Sequence, residues 1–357
     1  MNTQFNMAAP IRLAAFCRRV RIAHPVKHYK RYLSFSVNRN TVPGDDPESR
    51  QTHFGYESIP EQDKEERVYE VFKNVASSYD LMNDTMSMGV HRVWKDNFIN
   101  KLAPLPGTQL LDVAGGTGDI AFRFLEYTKY LEKKQGITNT GWSDDDSDFD
   151  LTKDISAQAF GIPEHYAEDQ DLPKSDSSSS SSEEEDISKV TSPKTHVTVC
   201  DINKEMLEVG KERAKEMGLA EGLSWVQGNA ESLSFGDNLF DAYTIAFGIR
   251  NCTHIDKVVE EAYRVLKPGG RFMCLEFSHV SNPLLRSVYD NYSFQVIPVM
   301  GQVLARDWKS YQYLVESIRQ FPNQEEFATL IRKSGFKMVS YENLTFGVAA
   351  IHSGFKL

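Results

Sequence analysis

The stretch LLDVAGGTGDIAF, residues 110–122, limits the fold more than any other. An apolar run enters a cluster of glycines and leaves as a second apolar pattern. That predicts a strand, a tight turn and the start of a helix. Gly116, Gly118 and Ala121 have the G-x-G-x-x-[GA] spacing of a dinucleotide site. Backbone N–H groups at such a turn suit an anion, so a pyrophosphate is one ligand for the loop. Taken alone, the spacing also describes a tight turn with no ligand.

Elements around the loop repeat as strand and helix. Val68, Val71, Phe72, Val75 and Tyr79 recur at helical spacing, as do Val90, Val93, Trp94 and Phe98. HVTVCD is a strand ending at Asp201, and a helix spans about 204–217. Strands follow near 223–227 and 240–247, then a helix from 256 to 266 stopped by KPGG, then the strand RFMCLEF. Helices are expected over 284–297, 310–319 and 323–334. FKMVSYENLTFGVAAIHSGFKL reads as two strands and a turn. The pattern predicts an α/β fold with a doubly wound sheet and an antiparallel hairpin at one edge.

Two segments stand apart by charge. Residues 1–44 hold eight basic side chains and no Asp or Glu. Arginine-rich, acid-free and intermittently apolar, they read as a mitochondrial transit peptide. Without those eight charges the formal net charge falls from −10 to −18, and a body that acidic makes a poor nucleic-acid binder. Residues 45–62 read as a polar linker and 63–357 as the catalytic body. Residues 128–195 interrupt that body with 16 acidic and 7 basic side chains, including SDSSSSSSEEED. Such a segment buries too little apolar surface to offset its ordering entropy, so disorder is expected there. Cys17, Cys200, Cys252 and Cys274 show no paired spacing and read as thiols in a reducing compartment, not as disulfides or a metal site.

A dinucleotide site wants an acid about 20 residues past its glycines. Asp201 lies 83 residues after Gly118, and removing the roughly 65-residue insertion restores the spacing. Asp201 is therefore a candidate for ribose hydroxyls, of NAD or of S-adenosylmethionine. Three features favour the second. Asp112 and Asp119 flank the glycines, and carboxylates suit a sulfonium and an ammonium better than a pyrophosphate. GNAESLSF at 228–235 can cup an adenine edge with Asn229 and a backbone amide. EAYRVLKPGGRF at 261–272 is a helix-to-strand turn typical of class I methyltransferases.

YDLMNDTMSMGVHRVW, from Tyr79 to Trp94, resembles a signature of the ubiquinone/menaquinone C-methyltransferase family in Tyr79, Asp80, Met82, Asn83, Met86, Ser87, His91 and Trp94. RVLKPGGRFMCLEFS, from Arg264 to Ser278, resembles its second signature, and DVAGGTGD, VCDIN and FGIRN add to the likeness. The resemblance spans about 60–127 and 196–357; the acidic insertion is a departure. It implies a class I, Rossmann-like fold with seven strands, the last antiparallel. It also implies S-adenosylmethionine as cofactor, with contacts at Thr117, Asp201, Asn229 and Ala230 beside Gly116 and Gly118, and no metal. The substrate class implied is a polyprenylated benzoquinol of coenzyme Q biosynthesis. The setting implied is the matrix side of the mitochondrial inner membrane, peripherally bound, with other proteins of that pathway in a complex. A homodimer is compatible with it.

Methylating a ring carbon needs charge pushed into the ring by loss of a hydroxyl proton. Asp80, His91, Asn251, Arg250 and His254 are the motif residues available. Arg250 stays cationic and suits a phenolate. His91 also fits a buried contact, and Asp80 and His254 also fit helix starts. Phe294, Val296, Ile297, Val299 and Met300, with DWKSYQYL from Asp307, could line a groove for the tail or form ordinary core. Two other classes stay open at this level: a dehydrogenase on the same fold, and an acidic scaffold for other quinone-pathway proteins.

Overall fold

A computed structural model of the chain describes residues 50–75, 83–84, 87–134, 194–304 and 308–357. The basic segment 1–44, Asp80 and residues 135–193 of the acidic insertion lie outside the described residues. The described chain opens with a hairpin, β1 Gln51–Phe54 and β2 Glu57–Pro60, paired from Gln51 opposite Pro60 to Phe54 opposite Glu57. This corrects the expectation of a linker over 45–62. Gly55 turns the hairpin at φ +58°, Ile59 is buried, and Phe54 stacks on Tyr313 at 4.1 Å. A few well-placed apolar side chains anchor a sequence that is polar on average.

Helix α1, Glu61–Val75, and helix α2, Val90–Leu102, precede the sheet. The glycine turn then joins β3 Gln109–Val113 to helix α3 Asp119–Lys134. That helix runs a turn past 128, where the insertion was expected to begin, and Thr128 is buried in it. β4 His196–Asp201, α4 Lys204–Glu216, β5 Leu223–Gln227, β6 Phe240–Ala246, α5 Ile255–Val265 and β7 Leu266–Phe277 complete the alternation. KPGG falls inside the start of β7. There the register with β6 jumps between Phe240 and Ala242, and Gly269 turns at φ +84°. Helices α6 Pro283–Asn291 and α7 Ile297–Leu304 are joined by a π turn at Tyr292–Val296. α8 Trp308–Gln320, α9 Gln324–Lys333, β8 Lys337–Leu344 and β9 Ala349–Phe355 close the chain.

The seven-stranded sheet has the order β5-β4-β3-β6-β7-β9-β8, with β9 antiparallel to both neighbours and the first five strands parallel. This is the expected class I methyltransferase topology. Strand alternation divides the core. Leu111, Val113, Tyr243 and Ile245 face α5 and α9, through Val258, Val259, Phe327 and Ile331. Leu110, Val197, Ala242 and Met273 face α2 and α3, through Trp94, Phe98, Ile120 and Phe124. Cys200 and Cys274 are buried in strands, as expected.

After β3 the chain returns on one side as β4, and later on the other side as β6. Ligands of open α/β sheets bind in the crevice at the carboxyl ends of strands where the order switches this way. Packing there is tight. A Cβ on Gly210 of α4 would sit 2.5 Å from the Trp225 ring and 3.1 Å from the Thr117 backbone. Gly210→Ala should lower stability by about 1–3 kcal/mol through overpacking, read as a urea midpoint shift at unchanged slope. An unchanged midpoint would show that the Trp225 ring yields freely.

Candidate active site

Two cavities meet above the carboxyl edge. The first, a cleft of about 1160 Å³ partly open to solvent, runs along the ends of β3, β4 and β6 under α1. The second, about 1360 Å³, is walled almost wholly by apolar and aromatic side chains from α2, α6, the π turn, α7 and α8. Phe72, Lys95 and Phe247 line both and form the wall between them.

The cleft is built on the glycine turn. Gly115 has no room for a Cβ, which would fall 2.6 Å from Val199 and 2.8 Å from Asp112 Oδ2. Gly116 turns at φ +54° and donates its N–H to Asp201 Oδ2 at 2.9 Å. Asp201 Oδ1 accepts from the Asn203 N–H at 2.8 Å. Gly118, at φ +85°, leads into the N-terminus of α3. Thr117 is buried and accepts from Arg213 through its hydroxyl at 2.9 Å. Across the cleft Asn229 Oδ1 accepts from the Glu231 N–H at 2.8 Å, and its Nδ2 donates to Glu65 of α1 at 3.0 Å. Ala230 is buried beside it. Thr117, Asp201, Asn229, Ala230, Gly116 and Asn251 thus line or brace one cleft; Gly118 starts the helix behind it.

α1 covers this cleft through polar contacts. Asn203 Nδ2 donates to the Tyr69 carbonyl at 3.2 Å, and the Tyr69 hydroxyl donates to Glu205. Lys64, fully buried, donates to the Cys252 carbonyl at 3.1 Å, and burial lowers its pKa.

The two carboxylates expected to suit a cation differ. Asp112 is fully buried; Oδ1 accepts from the Thr244 hydroxyl at 2.8 Å, and Oδ2 has no partner. Burial pushes it up to about 7. Burial likewise pushes Asp201 up to about 6, against hydrogen bonds from Asn203 and Gly116 that favour its charge. Burial alone would raise Asp119 as well, but Lys95 at 2.6 Å and Arg123 at 3.2 Å hold it well below the usual range. Asp119 is therefore already neutralised, which corrects the sequence expectation. Asp112 and Asp201 have no ion-pair partner among the described residues. An orphaned buried carboxylate oxygen, a glycine turn closed to a Cβ at Gly115 and Gly118, and a second, half-buried carboxylate fit a cofactor with an adenosyl ribose and a cationic end. That is S-adenosylmethionine, not a pyrophosphate.

At the second cavity, Arg250 and Glu276 form a buried pair, 4% and 1% exposed, with Nη1 2.9 Å from Oε1. Nη1 also donates to the Phe247 carbonyl, while Nε has no partner. Burial raises Glu276, and Arg250 opposes it. His91 is buried, with Nδ1 2.7 Å from Ser87 Oγ. The Ser87 proton goes to the Asn83 carbonyl at 2.7 Å, so the network assigns the His91 proton to Nδ1, while Nε2 lies 3.8 Å from Asp84 Oδ1. Burial, with Lys95 beside it, lowers His91 to about 4. Asn251 accepts from the Tyr313 hydroxyl at 3.0 Å, which couples the two cavities. His254 is held between Glu231 at 2.7 Å and Glu61, and lines neither cavity. It is not placed to act on a ligand, whereas Arg250 and His91 are. Ile297, Ser310, Tyr311, Tyr313 and Leu314 line the second cavity, but Phe294, Val296 and Val299 are exposed, so only part of the expected groove forms.

Sequence reasoning missed Glu276, Lys95 and Phe247. Glu276 carried a signal, a lone acid inside the apolar run RFMCLEF. Phe247 is held at φ +56°, and Ala114, the residue that follows β3, at φ +51°. A left-handed conformation costs a residue with a side chain roughly 1–2 kcal/mol.

The model of the ubiE/COQ5 methyltransferase family matches residues 61–158 and 177–356. The chain is 51% identical over 359 residues to the mitochondrial 2-methoxy-6-polyprenyl-1,4-benzoquinol methylase of Danio rerio, covering 98% of this chain and 100% of that protein. It is 54% identical over 313 residues to the protein of that name from Gallus gallus, covering 86% and 89%. With that of Homo sapiens it shares 52% over 334 residues, covering 89% and 91%.

The folded Asp112 keeps its proton to about pH 7, while an unfolded carboxyl releases it near its model value of 3.8. Stability of the cofactor-free protein therefore falls as pH rises from about 4 to 7 and levels off above. Asp112→Asn removes that penalty. Its advantage over wild type should grow by about 2 kcal/mol between pH 5.5 and 8, measured by denaturant melts at each pH. A constant difference would mean that Asp112 is already ionised at pH 5.5.

Proposed function

The chain belongs to the ubiE/COQ5 methyltransferase family, and from that premise we propose that it C-methylates 2-methoxy-6-polyprenyl-1,4-benzoquinol in coenzyme Q biosynthesis. One observation carries the reading: a large apolar, aromatic-lined cavity meets the cofactor cleft across a single wall of three side chains. An NAD site has no use for an uncompensated Asp112 beside its glycines; a cationic cofactor does.

S-adenosylmethionine supplies an electrophilic methyl group on a sulfonium. Asp201, its carboxylate held by the Gly116 N–H, would receive the ribose hydroxyls, and Asn229 and Ala230 would hold the adenine. Thr117 fixes the turn, and Asp112 offers its free oxygen to positive charge. On the acceptor side the aromatic walls exclude water. Arg250, through its unpartnered Nε–H, stabilises the negative charge left on a ring oxygen as the hydroxyl proton passes to His91 Nε2, and the proton that the methyl group displaces from the ring carbon is released as aromaticity returns. Glu276 fixes the guanidinium and screens part of its charge. His91 offers Nε2 as an acceptor for a ring hydroxyl, orienting it. Asn251, held by Tyr313, spans the two sides. Alignment of the reacting groups supplies most of the rate in this scheme.

The same reading places the protein in the mitochondrion once residues 1–44 are removed, peripheral on the matrix face of the inner membrane and beside other coenzyme Q proteins. Support comes from relatives named as mitochondrial and from the insolubility of a polyprenyl tail. No helix among the described residues is long and apolar enough to cross a membrane. The acidic insertion has no part in the chemistry.

The test supplies the full chain with methyl-labelled S-adenosylmethionine and a short-tailed demethylated methoxy-benzoquinol kept reduced. Label on ring carbon, lost when the quinol is oxidised, is expected. Label on oxygen, or none despite cofactor binding, refutes the acceptor. Arg250→Lys keeps the charge opposite Glu276 and removes the Nε donor. It should lower kcat roughly 10²-fold or more, the range for one lost donor to a developing oxyanion, with cofactor affinity retained. Full turnover would free Arg250 of that role.

A further inference from the structure

Strand β6 ends in Ala246, and the chain leaves it through Phe247 and Gly248. Glycine is the residue that takes positive φ without strain. Here the assignment is reversed: Phe247 lies at φ +56°, and Gly248 at φ −112°. Gly248 is needed for another reason, since a Cβ there would sit 2.4 Å from the Ala114 Cβ. The unfavourable conformation is thus loaded onto a bulky aromatic although a glycine stands next to it.

Several contacts hold it there. The Phe247 N–H donates to the Leu275 carbonyl at 2.8 Å, and its carbonyl accepts from Arg250. Its ring lies 4.9 Å from that of Phe277 and 6.2 Å from that of Trp94. The outcome is a buried residue that lines both the cofactor cleft and the apolar cavity. Of the other two members of that wall, Lys95 is tied to Asp119 and Phe72 comes from the covering helix α1. Phe247 is the member fixed to the sheet. Strain persisting where the surroundings over-determine it, at the boundary a transferred group must cross, marks a functional constraint.

We propose that Phe247 is a positioning and specificity-determining residue, whose ring seats the flat face of the aromatic acceptor against the cofactor cleft. This rests on the aromatic-acceptor reading above. Offset or edge-to-face contact favours a planar ring over an aliphatic substrate of equal bulk. A ring displaced by about 1 Å loses on the order of 10²-fold in rate.

The test compares wild type with Phe247→Leu and Phe247→Tyr in the full chain. Leu keeps the apolar bulk and the strained backbone but lacks a flat face; Tyr keeps the ring. Binding of a short-tailed benzoquinone is read by quenching of tryptophan fluorescence, since Trp94 lies beside Phe247. This readout is independent of turnover. Cofactor affinity is read by calorimetry, and kcat and KM with the reduced quinol. The expected result is cofactor affinity within threefold of wild type for both variants. Phe247→Leu should lose at least tenfold in kcat/KM and weaken benzoquinone binding, and Phe247→Tyr should restore both to within about threefold. Equal loss of cofactor affinity and quinone binding in both variants would overturn the proposal, leaving a purely structural residue. So would a Leu variant matching wild type. Wild type that binds benzoquinone through Phe247 but transfers no methyl would refute the methylation while upholding the seat. Wild type that binds no benzoquinone would refute both.

Discussion

Two carboxylates without an ion-pair partner among the described residues, Asp112 fully buried and Asp201 half-buried, are the constraint around which the site is organised. Asp112 and Asp201 end adjacent parallel strands, and burial raises both toward neutrality. Hydrogen bonds from Thr244, Gly116 and Asn203 hold them in place and favour their charge only in part. Other acids in the neighbourhood are treated differently. Asp119 has Lys95 and Arg123, and Glu276 has Arg250. A fold that pairs its other buried acids and leaves these two has kept their charge for something that binds. The glycine turn follows from the same need: its backbone must pass within hydrogen-bonding distance of Asp201 while leaving the buried Asp112 Oδ2 without a hydrogen-bond partner.

The second cavity reverses this logic. Its cations, Arg250 and Lys95, are paired with Glu276 and Asp119, and its histidine is held neutral by burial. What remains is a buried, unmatched N–H on Arg250, a neutral His91 whose Nε2 lies 3.8 Å from Asp84, and apolar surface. Such a lining admits a neutral aromatic ring with oxygen substituents and offers little to a charged metabolite. The partition of Phe72, Lys95 and Phe247 keeps a charge-receiving cleft and an apolar cavity distinct while placing them side by side.

Much of this was legible in the sequence, for physical reasons. Strand and helix periodicity survive the acidic insertion because the insertion leaves the sheet at the end of α3 and returns at β4, so the topology closes without it. Asp201 could be placed by restoring the spacing after Gly118, and Asn229 by its position after the third strand. The hairpin at 51–60 was not legible, since one buried apolar side chain, Ile59, and one stacked ring do not lift a polar stretch above its average. Asp119 read as a free carboxylate because its partner Lys95 lies 24 positions upstream on another helix. His254 read as available because Glu61 and Glu231 meet it only in the fold. The tail groove was half right: Ile297, Tyr311 and Tyr313 turn inward, but the π turn rotates Phe294 and Val296 toward solvent. No composition or spacing reports backbone strain, so Phe247 looked like one more apolar residue at a strand end.

The most direct test is a crystal structure of the protein with a short-tailed quinol and an analogue of S-adenosylmethionine whose sulfonium is replaced by an amine-bearing carbon. The account predicts the ribose on Asp201, the positive end of the analogue toward Asp112, and an acceptor ring carbon about 3.5 Å from the methyl position, at the wall formed by Phe72, Lys95 and Phe247. A quinol ring bound away from that wall, or a positive end turned away from Asp112, would contradict it.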